Sequence, residues 1–260
     1  MTDDALLLIG RETAYGDDFE TQATRLADRG TAETVRTLTY ETEPVRELRA
    51  ELAAVEADRT FAMPMTVAHS RATAEDLAAA LRAVPGAVRY CEPVGRSPAV
   101  TTALRERATA AAPEATSLVL VAFGDSALPH QRRTAEYQAT RLRASDRFTE
   151  VHACYLLQNP TAECARYNVD DDGAVAVPLF LGRCEATERR VPEALELDRG
   201  GVDYADPLAD HPRVTDAIDA EVQRQRALAA VDGDGRGGLD DRSAPRPLAA
   251  DGEGSRRDET

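Results

Sequence analysis

An internal duplication constrains this chain more than any other feature of its sequence. Gln22-Ala23-Thr24-Arg25-Leu26 recurs as Gln138-Ala139-Thr140-Arg141-Leu142, 116 positions later, and at the same offset Val35 meets Val151 and Pro44 meets Pro160. After a two-residue slip the offset becomes 114: Pro64 meets Pro178, Ala72-Thr73 meets Ala186-Thr187, and Tyr90 meets Tyr204. Pro93, Pro98 and Val100 likewise meet Pro207, Pro212 and Val214. Chance agreement does not hold a register across so many separated blocks, so one unit of about a hundred residues occurs twice.

Both copies read alike. A continuous apolar run opens each, Ala5 to Ile9 and Ser117 to Ala122. A turn follows, then an amphipathic helix carrying the repeated string, with Leu26 and Leu142 on its apolar face. Second strands are expected at Thr34–Tyr40 and Val151–Leu157, and helices at Pro44–Val55 and Thr161–Tyr167, the first entered at a proline suited to an opening helical turn. Short buried-type strands follow at Thr60–Val67 and Ala174–Leu181, then helices at Thr73–Leu81 and Thr187–Leu195. Fourth strands at Ala87–Cys91 and Val202–Ala205 and closing helices at Ala99–Ala110 and Arg213–Ala229 complete the units. Strands that are apolar throughout and alternate with helices imply parallel sheets covered on both faces, an α/β fold of two tandem doubly wound lobes. The lobes are placed at 1–114 and 115–230. Ligands of such sheets sit at the carboxyl ends of the strands.

From about Val231 the text turns to Asp, Gly, Ser and Pro, and 231–260 is expected to be a disordered acidic tail with too little apolar content to order itself. A calcium-loop reading of its Asp232-Gly233-Asp234 start fails, because Arg236 and Ser243 fall where carboxylate ligands are needed.

Charge narrows the function classes. Asp plus Glu number 46 against 31 basic residues, every one of them Arg, for a net charge of −15. That surface suits a salt-filled cytoplasm, where the Debye length falls to about 3 Å at molar salt. It offers no basic stripe for phosphates, so nucleic acid is not an expected partner. No stretch approaches the ~18 unbroken apolar residues of a membrane span, and the acidic start Met1-Thr2-Asp3-Asp4 is not a secretory leader. A cytoplasmic location is expected. Cys91, Cys154, Cys164 and Cys184 lack CxxC spacing, which argues against a disulfide framework or structural zinc and for most of them being small buried residues.

Three features recur at matched places: a turn after the first strand (Gly10-Arg11-Glu12-Thr13 and Ala122-Phe123-Gly124-Asp125), a third strand ending in Pro64-Met65-Thr66-Val67 or Pro178-Leu179-Phe180-Leu181, and Tyr-x-x-Pro at Tyr90–Pro93 and Tyr204–Pro207. Together they resemble the sirohydrochlorin chelatases of the CbiX type in a two-repeat form, from about Leu6 to Val222. Val177–Leu181 followed by Thr187–Leu195 is the most specific block. The resemblance implies type II chelatase-like lobes facing a central cleft that holds a tetrapyrrole. It also implies insertion of Co²⁺ or Fe²⁺, as substrate metal, into sirohydrochlorin toward cobalamin or sirohaem. A duplicated chain supplies both lobes, which suits a monomer and leaves a dimer open.

The family places metal-binding histidines in the turn after the first strand and shortly after the third. Here those positions are Arg11, Phe123, Ala72 and Ala186. Imidazole carries divalent metals and accepts protons near neutral pH, whereas Arg, Phe and Ala offer no ligand atom. Near the same cleft the resemblance puts His69, Cys184 and Glu185, a set able to bind Co²⁺, Fe²⁺ or Zn²⁺. Against that stands a plain reading, with His69 a loop histidine and Cys184 a packed thiol. Glu92 and Asp206 cap helices or face the cleft. His130, His152 and His211 are isolated and read as surface residues. Arg11, Arg96 and Arg183 suit the carboxylates that rim the pigment. Two functions stay open: a chelatase, and a non-catalytic paralogue that binds a tetrapyrrole or metal. Enzymes of other chemistry lack support, since no P-loop or Ser/His/Asp set points to them.

Overall fold

The computed structural model describes residues 3–12, 18–169, 173–208 and 210–231. The expected tail beyond Val231 lies outside the described residues. The first copy comprises β1 (Asp4–Arg11), α1 (Asp18–Asp28), β2 (Thr34–Tyr40), α2 (Pro44–Glu47), α3 (Arg49–Ala53), β3 (Arg59–Pro64), α4 (Ala78–Ala80), β4 (Ala87–Tyr90) and α5 (Pro98–Ala111). The second comprises β5 (Ser117–Ala122), α6 (His130–Arg143), β6 (Glu150–Tyr155), α7 (Ala162–Ala165), β7 (Ala174–Pro178), α8 (Val191–Ala194), β8 (Val202–Tyr204) and α9 (Pro212–Val231). Among the described residues these strands form two four-stranded parallel sheets, ordered β2-β1-β3-β4 and β6-β5-β7-β8. No helix of the described residues is long and apolar enough to cross a membrane.

Successive residues of a strand face opposite sides of its sheet, and here both sides are dry. In β1, Leu6 and Leu8 enter one core while Ala5, Leu7 and Ile9 enter another. In β5, Leu118 and Leu120 enter the first of these cores, and Val119 and Val121 a third. The two sheets therefore share one central core between their inner faces and keep separate outer cores under the short helices.

Helices α5 and α9 fill that centre, and they cross over. The helix that closes the first copy, α5, packs on β7 and β8 of the second sheet; α9, which closes the second copy, packs on α1 and β3 of the first. The repeated glutamines secure the exchange. Gln138 of α6 is fully buried, accepts a hydrogen bond from Thr101 Oγ1 at 2.7 Å and donates to the Gly95 carbonyl at 2.7 Å. Gln22 of α1 is equally buried, accepts from Thr215 Oγ1 at 2.6 Å and donates to the His211 carbonyl at 3.3 Å. Each ties its helix to the closing helix of the other copy. Asp4 anchors α9 further, accepting from Arg59 at 2.7 and 2.9 Å and from Arg226 at 3.0 and 3.1 Å.

The helix expected at Pro44–Val55 is split into α2 and α3, β6 ends at Tyr155 rather than Leu157, and two further expectations shift. The third strands end at Pro64 and Pro178 rather than three residues later, since the chain leaves the ladder after bonding Met65 N to Ile9 O and Leu179 N to Val121 O, each at 2.8 Å. The apolar residues that follow line a cleft and belong to no strand. The helices expected at Thr73–Leu81 and Thr187–Leu195 begin as π-helical turns, Ala72–Leu77 and Ala186–Arg190. A π turn frees a carbonyl from the α-helical ladder. Tyr90 Oη donates to Thr73 O at 2.6 Å and Tyr204 Oη to Thr187 O at 2.9 Å. These two bonds explain the repeated tyrosines.

Candidate functional site

The carboxyl ends of both sheets open on one cleft. A cavity of about 180 Å³ lies there, walled by Arg11, Phe19, Met65, Phe123, Phe180 and Cys184 among others. It adjoins a second cavity of about 360 Å³, confined to the first lobe and lined by Arg11, Tyr40, Thr42, Ser70, Ala72 and Thr73. Arg11, Met65 and Thr66 border both. A larger depression, about 510 Å³ around Asp3, Asp58 and Pro85, sits at the amino ends of the strands, away from where such folds bind ligands.

The first-lobe site is cationic and hydroxyl-rich. Arg11 ends β1, and its Nε donates to the Glu41 carbonyl at 2.9 Å. Burial pushes the neighbouring Tyr40 hydroxyl above its ordinary pKa, with the charge of Arg11 opposing the rise. Thr73 Oγ1 accepts from the Ser70 amide at 2.9 Å, fixing the entry to the π turn. Ala72 opens that turn and faces the same cavity as Arg11.

In the second lobe the corresponding place is filled. The Phe123 ring stands edge-on to Phe180, centroids 6.4 Å apart, and the Arg190 guanidinium covers it at 5.4 Å. Gly124, at a φ of 82°, holds the turn beside it where a Cβ would press on Gln158 and Tyr155. Ala186 is buried at the start of its π turn.

His69 Nδ1 lies 3.3 Å from Thr73 Oγ1 and its Nε2 3.4 Å from Glu92 Oε2. Its hydrogen bond is the main reason that Glu92 is held below the usual carboxylate range, against the opposing effect of burial. Arg183, on the cleft wall, pairs with Asp206 at 3.5 Å. Cys184 lies on that wall too, its amide donating to Thr187 Oγ1 at 3.0 Å. Glu185 points to solvent and pairs with Arg189. Arg96 stacks at 4.9 Å on Tyr137 and borders neither cleft cavity. His211 caps α9, its Nδ1 accepting from the Arg213 amide at 3.2 Å. Of the remaining thiols, Cys91 and Cys154 are buried, and burial pushes Cys154 up to about 12. Reading the sequence did not single out Arg190, Tyr40 or Thr42, since no motif marks a side chain whose role is to line or cover a wall.

Among the described residues no three His, Cys, Asp or Glu side chains gather as a group able to hold a metal ion. Cys184 reaches the cleft, while His69 and Glu185 are engaged elsewhere by Glu92 and Arg189. At about 4 Å and an effective dielectric near 20, a guanidinium such as Arg11 repels a cation by about 4 kcal/mol per unit charge. The first-lobe cavity as built favours anions.

Comparison with known proteins agrees with this fold. The CbiX family model matches residues 6–111 and 117–225, both copies almost entirely. A probable sirohydrochlorin cobaltochelatase of Halobacterium salinarum is 22% identical over 222 residues, covering 73% of this chain and 75% of that protein. The sirohydrochlorin chelatase SirB of Bacillus subtilis subspecies spizizenii, solved in complex with cobalt, superposes with a TM-score of 0.69 at 17% identity, covering 88% of this chain and 97% of that one. CbiX, the terminal enzyme for siroheme biosynthesis in denitrifying bacteria, gives 0.65 at 21% identity, covering 84% and 98%.

Proposed function

This chain belongs to the CbiX family, and from that premise we propose that it takes a sirohydrochlorin-type tetrapyrrole into the cleft between its sheets for insertion of Co²⁺ or Fe²⁺. The observation that carries the reading is the make-up of the cleft wall. Arg11 and Arg183 supply guanidinium forks for a carboxylate-rimmed ligand, and Phe123 with Phe180 supplies an aromatic surface for a flat ring. Inserting a divalent metal exchanges it for two pyrrole protons, and the macrocycle itself provides four nitrogen ligands. The protein's part is to hold the ring, exclude water from one face and offer a soft ligand on the metal's way in, for which Cys184 is placed on the wall. His69 and Glu185, engaged by Glu92 and Arg189, do not join Cys184 in a metal set. Arg96 belongs to the proposed pigment contacts through the rim, beyond the two cavities.

A second reading, binding without insertion, is favoured by one specific observation: Arg11, Phe123, Ala72 and Ala186 occupy the positions where the family's metal-binding histidines are expected. In either case the proposed working unit is two lobes, 1–114 and 115–230, which suits a monomer and leaves a dimer open, in the cytoplasm and with no nucleic-acid partner expected. Mixing the purified chain with sirohydrochlorin and Co²⁺ or Fe²⁺ at high salt, and following the absorbance, separates the two. Metallation above the uncatalysed rate, lost in Cys184→Ala, supports insertion. Bound but unmetallated pigment supports the second reading, and absence of pigment binding rejects both.

A further inference from the structure

We infer that the first-lobe cavity is a carboxylate subsite built around the Arg11 guanidinium, and that among the described residues the second lobe shows no counterpart at Phe123. The inference rests on the tetrapyrrole reading for the natural ligand, and it names the part of that ligand that enters: one peripheral carboxylate arm.

The cavity's lining is the first argument. A chain with 46 acidic residues puts none on this wall, which instead offers Arg11 and the hydroxyl-bearing Tyr40, Thr42, Ser70 and Thr73. Arg11 is oriented through its Nε bond to the Glu41 carbonyl, and among the described residues no carboxylate pairs with it, whereas Arg183 in the other lobe is paired with Asp206. Size is the second argument. A volume of about 360 Å³ lies at the small end of ligand pockets and is enough for a short acid chain. Ala72 matters here, because its methyl group leaves the space that a larger side chain would close.

Asymmetry is the third argument. In the second lobe Phe123 occupies the position equivalent to Arg11, wedged between Phe180 and Arg190. One lobe therefore recognises charge and the other presents an aromatic face, which fixes the orientation of a flat, acid-rimmed ligand. Since Arg stays protonated, the subsite's preference for anions holds across neutral pH, which a histidine in its place would not provide.

The test uses the full chain and two probes at one fixed ionic strength. Calorimetric titration with citrate is expected to show binding to the unmodified chain, at least tenfold weakening in Arg11→Gln, and a change below twofold in Arg82→Gln, an exposed arginine that borders neither cleft cavity. Ala72→Phe fills the cavity while keeping the guanidinium, and is expected to abolish citrate binding, so a fold defect in one variant does not decide the matter. Failure of citrate to bind the unmodified chain, or equal binding by Arg11→Gln, overturns the subsite. Fluorescence titration with uroporphyrin, a ring bearing eight carboxylates, addresses the reading beneath it. Uroporphyrin that citrate displaces supports the subsite as part of the pigment site. Citrate binding without any uroporphyrin binding keeps the subsite and rejects the tetrapyrrole reading. Uroporphyrin binding that neither citrate nor Arg11→Gln weakens overturns the subsite and keeps the reading.

Discussion

His69 Nε2 stands 3.4 Å from Glu92 Oε2, and the matched positions of the second copy, Arg183 and Asp206, stand 3.5 Å apart. The duplication has preserved a nitrogen–carboxylate contact across the third strand's exit and the Tyr-x-x-Pro segment while changing both residues: an imidazole makes it in the first copy and a guanidinium in the second. Both carboxylates are largely exposed, so each contact is worth little in free energy and serves mainly to set the loop. His69→Arg installs the second copy's cation and is expected to move the thermal midpoint by less than about 2 °C. A large loss of stability would show that the imidazole does something a guanidinium cannot.

The buried glutamines are a stronger claim. Gln138→Leu leaves Thr101 Oγ1 and the Gly95 carbonyl without their partner, and Gln22→Leu does the same to Thr215 and the His211 carbonyl. Each is expected to cost about 1–3 kcal/mol in denaturant unfolding. Effects under about 0.5 kcal/mol would remove these bonds from the account of how the closing helices are held.

Asp4 links β1, Arg59 and Arg226. Burial alone would raise its pKa, but the hydrogen bonds and charges of the two arginines outweigh that, and the net direction is down. A carboxyl lowered on folding adds stability that is full above its unfolded value near 3.9 and is lost as pH falls through the folded value. Asp4→Asn should cost about 3 kcal/mol at neutral pH and flatten the acid limb of the unfolding profile. An unchanged acid limb counts against this ion cluster.

His211 needs a neutral ring to cap α9, because Nδ1 accepts from Arg213 N. Burial first, and the charge of Arg107 second, hold its pKa below the ordinary value, with Glu106 opposing. For a base lowered on folding, the contribution is full above the unfolded pKa near 6.5 and is lost as pH falls through the folded value. Ser97 caps α5 at the matched position, its Oγ accepting from Ala99 N at 3.3 Å. His211→Ser should therefore keep the cap and reduce the stability loss between pH 7 and 5. His211→Ala should lose about 1 kcal/mol at pH 7, read by thermal unfolding.

Positions 11 and 72 share a cavity, so Arg11→His with Ala72→His would place two imidazoles on one wall. Co²⁺ binding, not expected of the unmodified first-lobe cavity with its guanidinium, should appear in the double variant as new visible absorption bands. The same change in the second lobe, Phe123→His with Ala186→His, should give weaker bands, because Phe180 and Arg190 crowd that site. Equal metal binding by both double variants would contradict the asymmetry.

Much of the architecture was legible in the residues. The expectations for β2 and β5 match the observed bounds, and the closing helices extend the expected ones by one or two residues. Misreadings gathered where apolar residues serve something other than a sheet or an α-helix. Met65 to Val67 and Leu179 to Leu181 look like strand and form cleft wall. Ala72–Leu77 and Ala186–Arg190 look α-helical, yet each takes a π turn, with one carbonyl bonded by a tyrosine 17 residues further on. The expected metal set reads as a cluster in the chain, with Cys184 and Glu185 adjacent, but their side chains diverge, one to the cleft and one to Arg189.

The sequence by itself determined the duplication, the alternation of strand and helix, and the matching of Ala72-Thr73 with Ala186-Thr187. Those are properties of spacing and residue type, which periodicity and self-comparison expose. Tertiary structure alone decided that α5 and α9 exchange partners, that the repeated glutamines bridge the copies, and that Arg11 keeps an open cavity while Phe123 fills its own. Each of these joins residues far apart in the chain, and such contacts follow from how whole elements pack. Local sequence preference fixes the elements; the packing of their faces fixes which side chains meet.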